Sequence, residues 1–120
     1  DISTQTFYIV KEQDDRKLYS FIRPSSSANM TITPSFPFDL ETTPNPRVGL
    51  DVSAITFDAT TGRLLILSDQ DYRVVDVALD GTVYGVLQLP GYSQHEGITL
   101  DANHDLHIVT EPNEYTIYVD

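Results

Sequence analysis

Five acids occupy places in this 120-residue chain where carboxylates could work together. Asp51 and Glu96 each open an apolar run, Asp69 and Glu111 each close one, and Glu12 closes a weaker run near the start. Hard oxygen donors gathered in a chain with no cysteine and only three histidines suit Ca²⁺, which takes roughly six to eight oxygen ligands at about 2.3–2.6 Å. Zinc, which prefers sulfur and imidazole, is disfavoured. The competing explanation is plain: acids at strand ends are common in turns, where their side chains bond their own backbone. It weighs most for Asp69 and for Glu111, since Glu111-Pro112-Asn113 reads equally well as a rigid turn with Glu111 bracing backbone amides. The weak catalytic candidate is His95, which precedes Glu96 and could act as a general base beside a metal-bound water.

The elements that must position these acids come from an internal repeat. Asp51 to Asp58, a turn, and Leu64 to Asp69 recur as Glu96 to Asp101, a turn, and Leu106 to Glu111. The spacing is 45 positions for the opening acids and 42 for the closing ones, within the period of propellers and solenoids. Phe7 to Glu12 followed by Arg16 to Phe21 forms a third, looser copy without an opening strand, as if the chain started inside a repeat. Apolar residues alternate or run in short blocks bounded by Gly, Asp, Asn and Pro, the pattern of strands rather than helices. Strands are expected at about 51–58, 63–69, 72–79 and 82–89, with Asp80-Gly81 as a two-residue hairpin turn, and then near 96–101, 105–110 and 114–119. Four antiparallel strands per repeat describe a propeller blade. The expectation is an all-β propeller segment of about two and a half blades: a partial blade at 1–22, a Pro-rich connection at 23–49 with one edge strand near Met30 to Thr33, a complete blade at 50–90 and a partial blade at 91–120.

In an antiparallel hairpin the start of the first strand and the end of the second share one end of the sheet. Asp51 and Asp69 are therefore expected together, as are Glu96 and Glu111, with Glu12 joining them. Since innermost strands line a propeller's channel, Asp51 and Glu96 should converge on the axis.

Composition narrows the rest. A net charge of −11, from 18 acids against 7 bases, repels phosphate backbones and anionic bilayers, so nucleic acid is not an expected partner. No apolar run approaches the length of a spanning helix. Asn29-Met30-Thr31 matches a glycosylation triplet of the kind that arises by chance. Asp101, Asn103 and Asp105 share the first spacings of a calcium-binding EF loop, but Leu106 and Pro112 stand where that loop needs glycine and glutamate. No Gly-x-Ser-x-Gly elbow or helical metal-binding His pair exists. His107 falls inside a strand, where packing is the ordinary explanation.

Asp51-Val52-Ser53, the turn Asp80-Gly81-Thr82-Val83, Glu96-Gly97-Ile98 and above all Thr110-Glu111-Pro112-Asn113 resemble the C-terminal half of the SdiA-regulated family of bacterial β-propellers, itself distantly similar to NHL-repeat propellers. The resemblance runs from about residue 48 to the end and, loosely, over 5–22. Ala54 departs from a usual glycine, and Asn103-His104-Asp105 replaces a commoner Asp-Gly. The resemblance implies a five-bladed propeller in a cell-envelope or secreted protein, with a calcium site. Two functions follow as expectations: a calcium-stabilised module binding a small molecule or protein, or a metal-dependent hydrolase of the lactonase or esterase kind. Either way, open propeller faces call for further blades from a longer protein or from another copy.

Overall fold

A computed structural model of the chain describes residues 1–11, 17–32, 40, 48–49, 51–91 and 94–119. Among them the structure is all-β, with nine strands in three antiparallel sheets and no helix. The first sheet is the hairpin β1 (Thr6–Val10) and β2 (Leu18–Ile22). The second is the four-stranded meander β3 (Val52–Asp58), β4 (Arg63–Ser68), β5 (Arg73–Ala78) and β6 (Val83–Gln88). The third is β7 (Gln94–Leu100), β8 (Leu106–Glu111) and β9 (Glu114–Tyr118). The strands foreseen in the second and third sheets match within about two residues, the largest shift being β7, which begins at Gln94. No strand forms over residues 30–32, and Thr33, the other end of that expected edge strand, lies outside the described residues, as does Glu12.

Turn chemistry punctuates the strands. Asp58 accepts the Thr60 amide at 2.9 Å, and Asp101 accepts the amides of Asn103 and Asp105 at 2.8 and 3.0 Å, so equivalent acids close equivalent hairpins. Gly62, with φ of 70°, takes the left-handed conformation that glycine tolerates best. The Asp80-Gly81 connection is longer than the expected two-residue turn. β5 ends at Ala78, β6 starts at Val83, and a register shift falls between Asp76 and Val77. The extra residues are held by the Asp80 carboxylate on the Thr82 amide at 2.9 Å and by Ala78 N donating to Thr82 O at 2.8 Å.

Each sheet offers two apolar faces, because side chains alternate along a strand. Leu64, Ile66, Val75 and Val77 of the second sheet are buried against Leu18, Tyr8 and Val10 of the first, with Tyr8 and Phe57 rings stacked at 5.4 Å. Leu67 and Val74, on its opposite face, are buried with Leu106 and Ile108 of the third. Burying one such side chain fully stabilises by about 1.5–3 kcal/mol, so these two interfaces dominate the fold. The Pro-rich connection takes part: Leu40 and Val48 are 1% and 0% exposed and join the first cluster. Arg73 Nε donates to Val48 O at 2.9 Å. Gly49, at φ of 143°, lies so close to Ser68 that a Cβ would fall 2.6 Å from the Ser68 Cβ.

The repeat carries a shared irregularity. Between β3 and β4 the register shifts after Val52, which pairs with Ser68 while Ala54 pairs with Leu67, leaving Ser53 as the extra residue. Between β7 and β8 the shift follows His95, which pairs with Thr110 while Gly97 pairs with Val109, leaving Glu96 extra. Such bulges bend and twist a strand and re-aim a side chain. They also reset the equivalence of the opening acids: Glu96 matches Ser53 in β3, and Asp51 matches Gln94, the residue paired with Glu111. Asp69 and Glu111 remain true counterparts.

Candidate functional site at the acid-bearing end of the sheets

Asp51 sits just before β3 with φ of 55°, its carbonyl accepting the Asp69 amide at 2.9 Å and its carboxylate accepting Gln70 Nε2 at 3.3 Å. Asp69 turns toward the third sheet: Oδ1 accepts the His95 amide at 2.6 Å and lies 3.7 Å from His95 Nδ1. From the bulge, Ser53 Oγ donates to His95 O at 2.6 Å. Both main-chain groups of His95 are thus held by the second sheet, across the junction. Its imidazole is 5% exposed and edge-on to Tyr72, with ring centroids 6.1 Å apart. A base buried there does not face solvent, so the geometry gives His95 the job of an anchor between sheets.

Glu96 and Glu111 are exposed, Glu96 at the bulge of β7 and Glu111 at the end of β8, where a cis peptide to Pro112 and Asn113 at φ of 65° form the turn into β9. The structure therefore brings Asp51 and Asp69 to one end of the second sheet and Glu96 and Glu111 to the same end of the third. Among the described residues no three of His, Asp and Glu gather in a group able to hold a metal ion. One reason is visible at Asp69, whose oxygen is already committed to a backbone amide. The described acids alone do not fit a calcium cage, which needs several converging oxygens.

The opposite end of the junction is also tied. Thr60 Oγ1 and His104 Nε2 lie 2.8 Å apart, and His104 Nδ1 is 4.0 Å from Asp58 Oδ1. Burial pushes the Asp58 carboxyl up, but hydrogen bonds from Thr61 and Thr60 and the nearby His104 outweigh it, leaving the net pKa below the usual aspartate value. Asp101 is held low in the same way, desolvation being outweighed by the Asn103 and Asp105 amides and by His107, while Asp80 is lowered by its bonds to Thr82.

A second cluster escaped the sequence reading. His107 Nδ1 is hydrogen-bonded to the Tyr115 hydroxyl, and His107 Nε2 lies 3.4 Å from Asp101 Oδ2. With Gly97, Thr99 and Val109 these residues line a groove of about 350 Å³ on the third sheet. The signal existed only in the register, since His107 pairs with both Thr99 and Ile117 and three strands had to be aligned before the trio could be seen.

The model of the SdiA-regulated family matches residues 1–118. The chain belongs to the SdiA-regulated family. The match runs without a break through the Pro-rich segment that the motif resemblance left unplaced, in keeping with the burial of Leu40 and Val48 beside the second sheet. In this member of the SdiA-regulated family Gly97 of β7 is closely packed, since a Cβ there would meet Val109 Cγ2 at 2.6 Å. At the equivalent position of β3 stands Ala54.

Proposed function

We propose that the three sheets are successive blades of a propeller and that the chain serves as a binding module of the bacterial cell envelope, presenting the acid-bearing end of its blades to a calcium ion and, with it, to a small-molecule or protein ligand. The observation that carries this reading is the double tether of β7 to the second sheet, Ser53 and Asp69 gripping His95. It holds the opening strands of two repeats side by side, as the inner strands of a propeller must lie. The exposed Glu96 and Glu111, the Asp51 carboxylate and the charge of −11 support a cation at that end. A calcium site would draw further oxygens from beyond the described residues, Glu12 among them. The hydrolase alternative needs a proton acceptor within reach of substrate, and His95 is buried in the junction; binding is the stronger reading.

Calcium titration followed by thermal unfolding tests it. A cation bound by the native state alone raises stability by RT ln(1 + [Ca²⁺]/Kd), about 2.7 kcal/mol at a hundredfold excess over Kd. The rise in melting temperature should appear with the native chain and disappear in Asp51→Asn combined with Glu96→Gln. A melting curve indifferent to calcium removes the ion from the proposal.

A further inference from the structure

The junction between the second and third sheets is tied, at the end away from His95, by a side chain in an unusual place. His104 stands in the β7–β8 turn with φ of 69°, a left-handed backbone that glycine takes freely and most other residues take at a cost. The turn itself does not call for an imidazole. Asp101 already holds it, its carboxylate accepting the amides of Asn103 and Asp105 and its carbonyl accepting the His104 amide at 3.2 Å. What the ring reaches lies on the other sheet: Nε2 is 2.8 Å from Thr60 Oγ1, and Nδ1 is 4.0 Å from Asp58 Oδ1.

These two contacts ask for two protons, and a neutral imidazole carries one. With the proton on Nε2 the ring donates to Thr60 and turns a lone pair toward the Asp58 carboxylate; with it on Nδ1 a donor faces Asp58 but the ring is uncharged. Only the imidazolium donates from both nitrogens and opposes the carboxylate in charge. Asp58 is set up to stay ionised, since it accepts the Thr60 amide at 2.9 Å and the Thr61 hydroxyl. Burial pushes its carboxyl up, but those bonds and the nearby His104 outweigh it and leave the pKa below the usual aspartate value. The ring is partly exposed and lines a cleft of about 290 Å³ between the two turns, so protons can come and go. The other charged groups around it are Asp101 and Asp105 of its own turn, with His107 Nε2 3.4 Å from Asp101 Oδ2, and Arg63 at the start of β4, which is paired with Asp76 at 2.8 Å. No lysine or arginine is among the described residues lining the cleft.

We propose that His104 is a proton-operated clasp between the second and third sheets: charged, it bridges Thr60 and Asp58 and draws the β3–β4 and β7–β8 turns together, and neutral, it holds them by a single bond. A histidine that gains a carboxylate partner on folding adds stability that is fully present below the range of unfolded histidine, near about 6.5, and is lost as pH rises through the folded value. Asp58 sets the lower limit, because its carboxylate keeps its charge until the pH falls below 3.8. The clasp is therefore closed between about pH 4 and pH 6. At the other end of the junction Ser53 and Asp69 hold the main chain of His95 and need no proton on its ring. The clasp depends neither on calcium nor on how many blades the protein has.

A double-mutant cycle at two pH values tests the clasp. Urea unfolding of the native chain, Asp58→Asn, His104→Asn and the double variant should show the two residues coupled at pH 5.5, by about two- to threefold in the unfolding equilibrium constant as for other partly exposed ion pairs, and uncoupled at pH 8.5. His104→Gly supplies a variant certain to suit the turn, since glycine accepts φ of 69° without strain. It should fold, and it should gain less stability than the native chain on going from pH 8.5 to pH 5.5. Coupling of equal size at both pH values would make His104 an uncharged tie, and no coupling at either would remove the contact altogether. Either result overturns the clasp, as does a His104→Gly chain with the native response to pH.

Discussion

The second and third sheets are built on one pattern and meet different surroundings. Leu67 and Val74 are cross-strand partners at 0% and 2% exposure, while Val109 and Tyr115, their counterparts in the repeat, are 48% and 58% exposed. Asp69 and Glu111 show the same split: one carboxylate is fastened to the next sheet's backbone at 2.6 Å, the other is exposed. Ser53 and Glu96 complete the series, the former reaching across the junction from its bulge and the latter exposed at the matching bulge. Equivalent repeat positions thus meet different surroundings in the two sheets. The same strand-ending acid is a clamp in one sheet and a candidate ligand in the next.

Substitution of matched pairs is the direct way to break or sharpen that contrast. Leu67→Ala should destabilise by about 2–5 kcal/mol through lost burial and a cavity. Val109→Ala should cost under about 0.5 kcal/mol in a monomeric sample, as exposed positions do. Urea unfolding at low protein concentration compares them, and equal losses would mean that the two faces are alike in solution. A smaller difference is expected between Asp69→Ala and Glu111→Ala. The first leaves the His95 amide without its acceptor and should cost about 1–3 kcal/mol, whereas the second should stay within about 0.5 kcal/mol of the native chain; loss of the same size at Glu111 would reveal a partner for it.

The smallest effect concerns the matched turn acids. Asp58 and Asp101 have folded-state pKa values below that of unfolded aspartate, so their contribution is fully present above the unfolded value near 3.8 and drains away as pH falls through the lower folded values. Urea midpoints recorded from pH 6 down to pH 3 should fall, and Asp58→Asn and Asp101→Asn should each flatten that fall modestly. A slope unchanged in both variants would show that these hydrogen bonds add nothing to acid sensitivity.

Much of the fold was legible because alternation and turn residues speak locally. The strands around Ile66 and Ile108 follow from apolar runs bounded by Asp and Gly, and the repeat forecast equivalent hairpins. What escaped was long-range or irregular. The bulges at Ser53 and Glu96 insert one residue without any compositional mark, so an alignment on opening acids paired Asp51 with Glu96 when register pairs Glu96 with Ser53. The Asp80-Gly81 signal overstated how tight its turn is, because the shift beside Asp76 moves the strand end. His95 reads from its place before Glu96 as a candidate base; its burial depends on Tyr72 and Asp69, residues that only tertiary packing brings to it. The trio Asp101, His107 and Tyr115 required the register of three strands at once.

The burial of Leu40 and Val48 against the second sheet bears on the order in which the chain assembles. Only a few residues separate Gln88 from Gln94, so closing the junction between the second and third sheets costs little chain entropy. The path from Ile22 to Val52 is several times longer, and its closure costs roughly 1–2 kcal/mol more on the logarithmic scaling of loop entropy. Leu40 and Val48 shorten that path by pinning its middle to the core, dividing one long closure into successive shorter ones. On that scaling the first hairpin is expected to dock after the second and third sheets have formed a common unit, with the buried Leu40 and Val48 shortening the closure that remains.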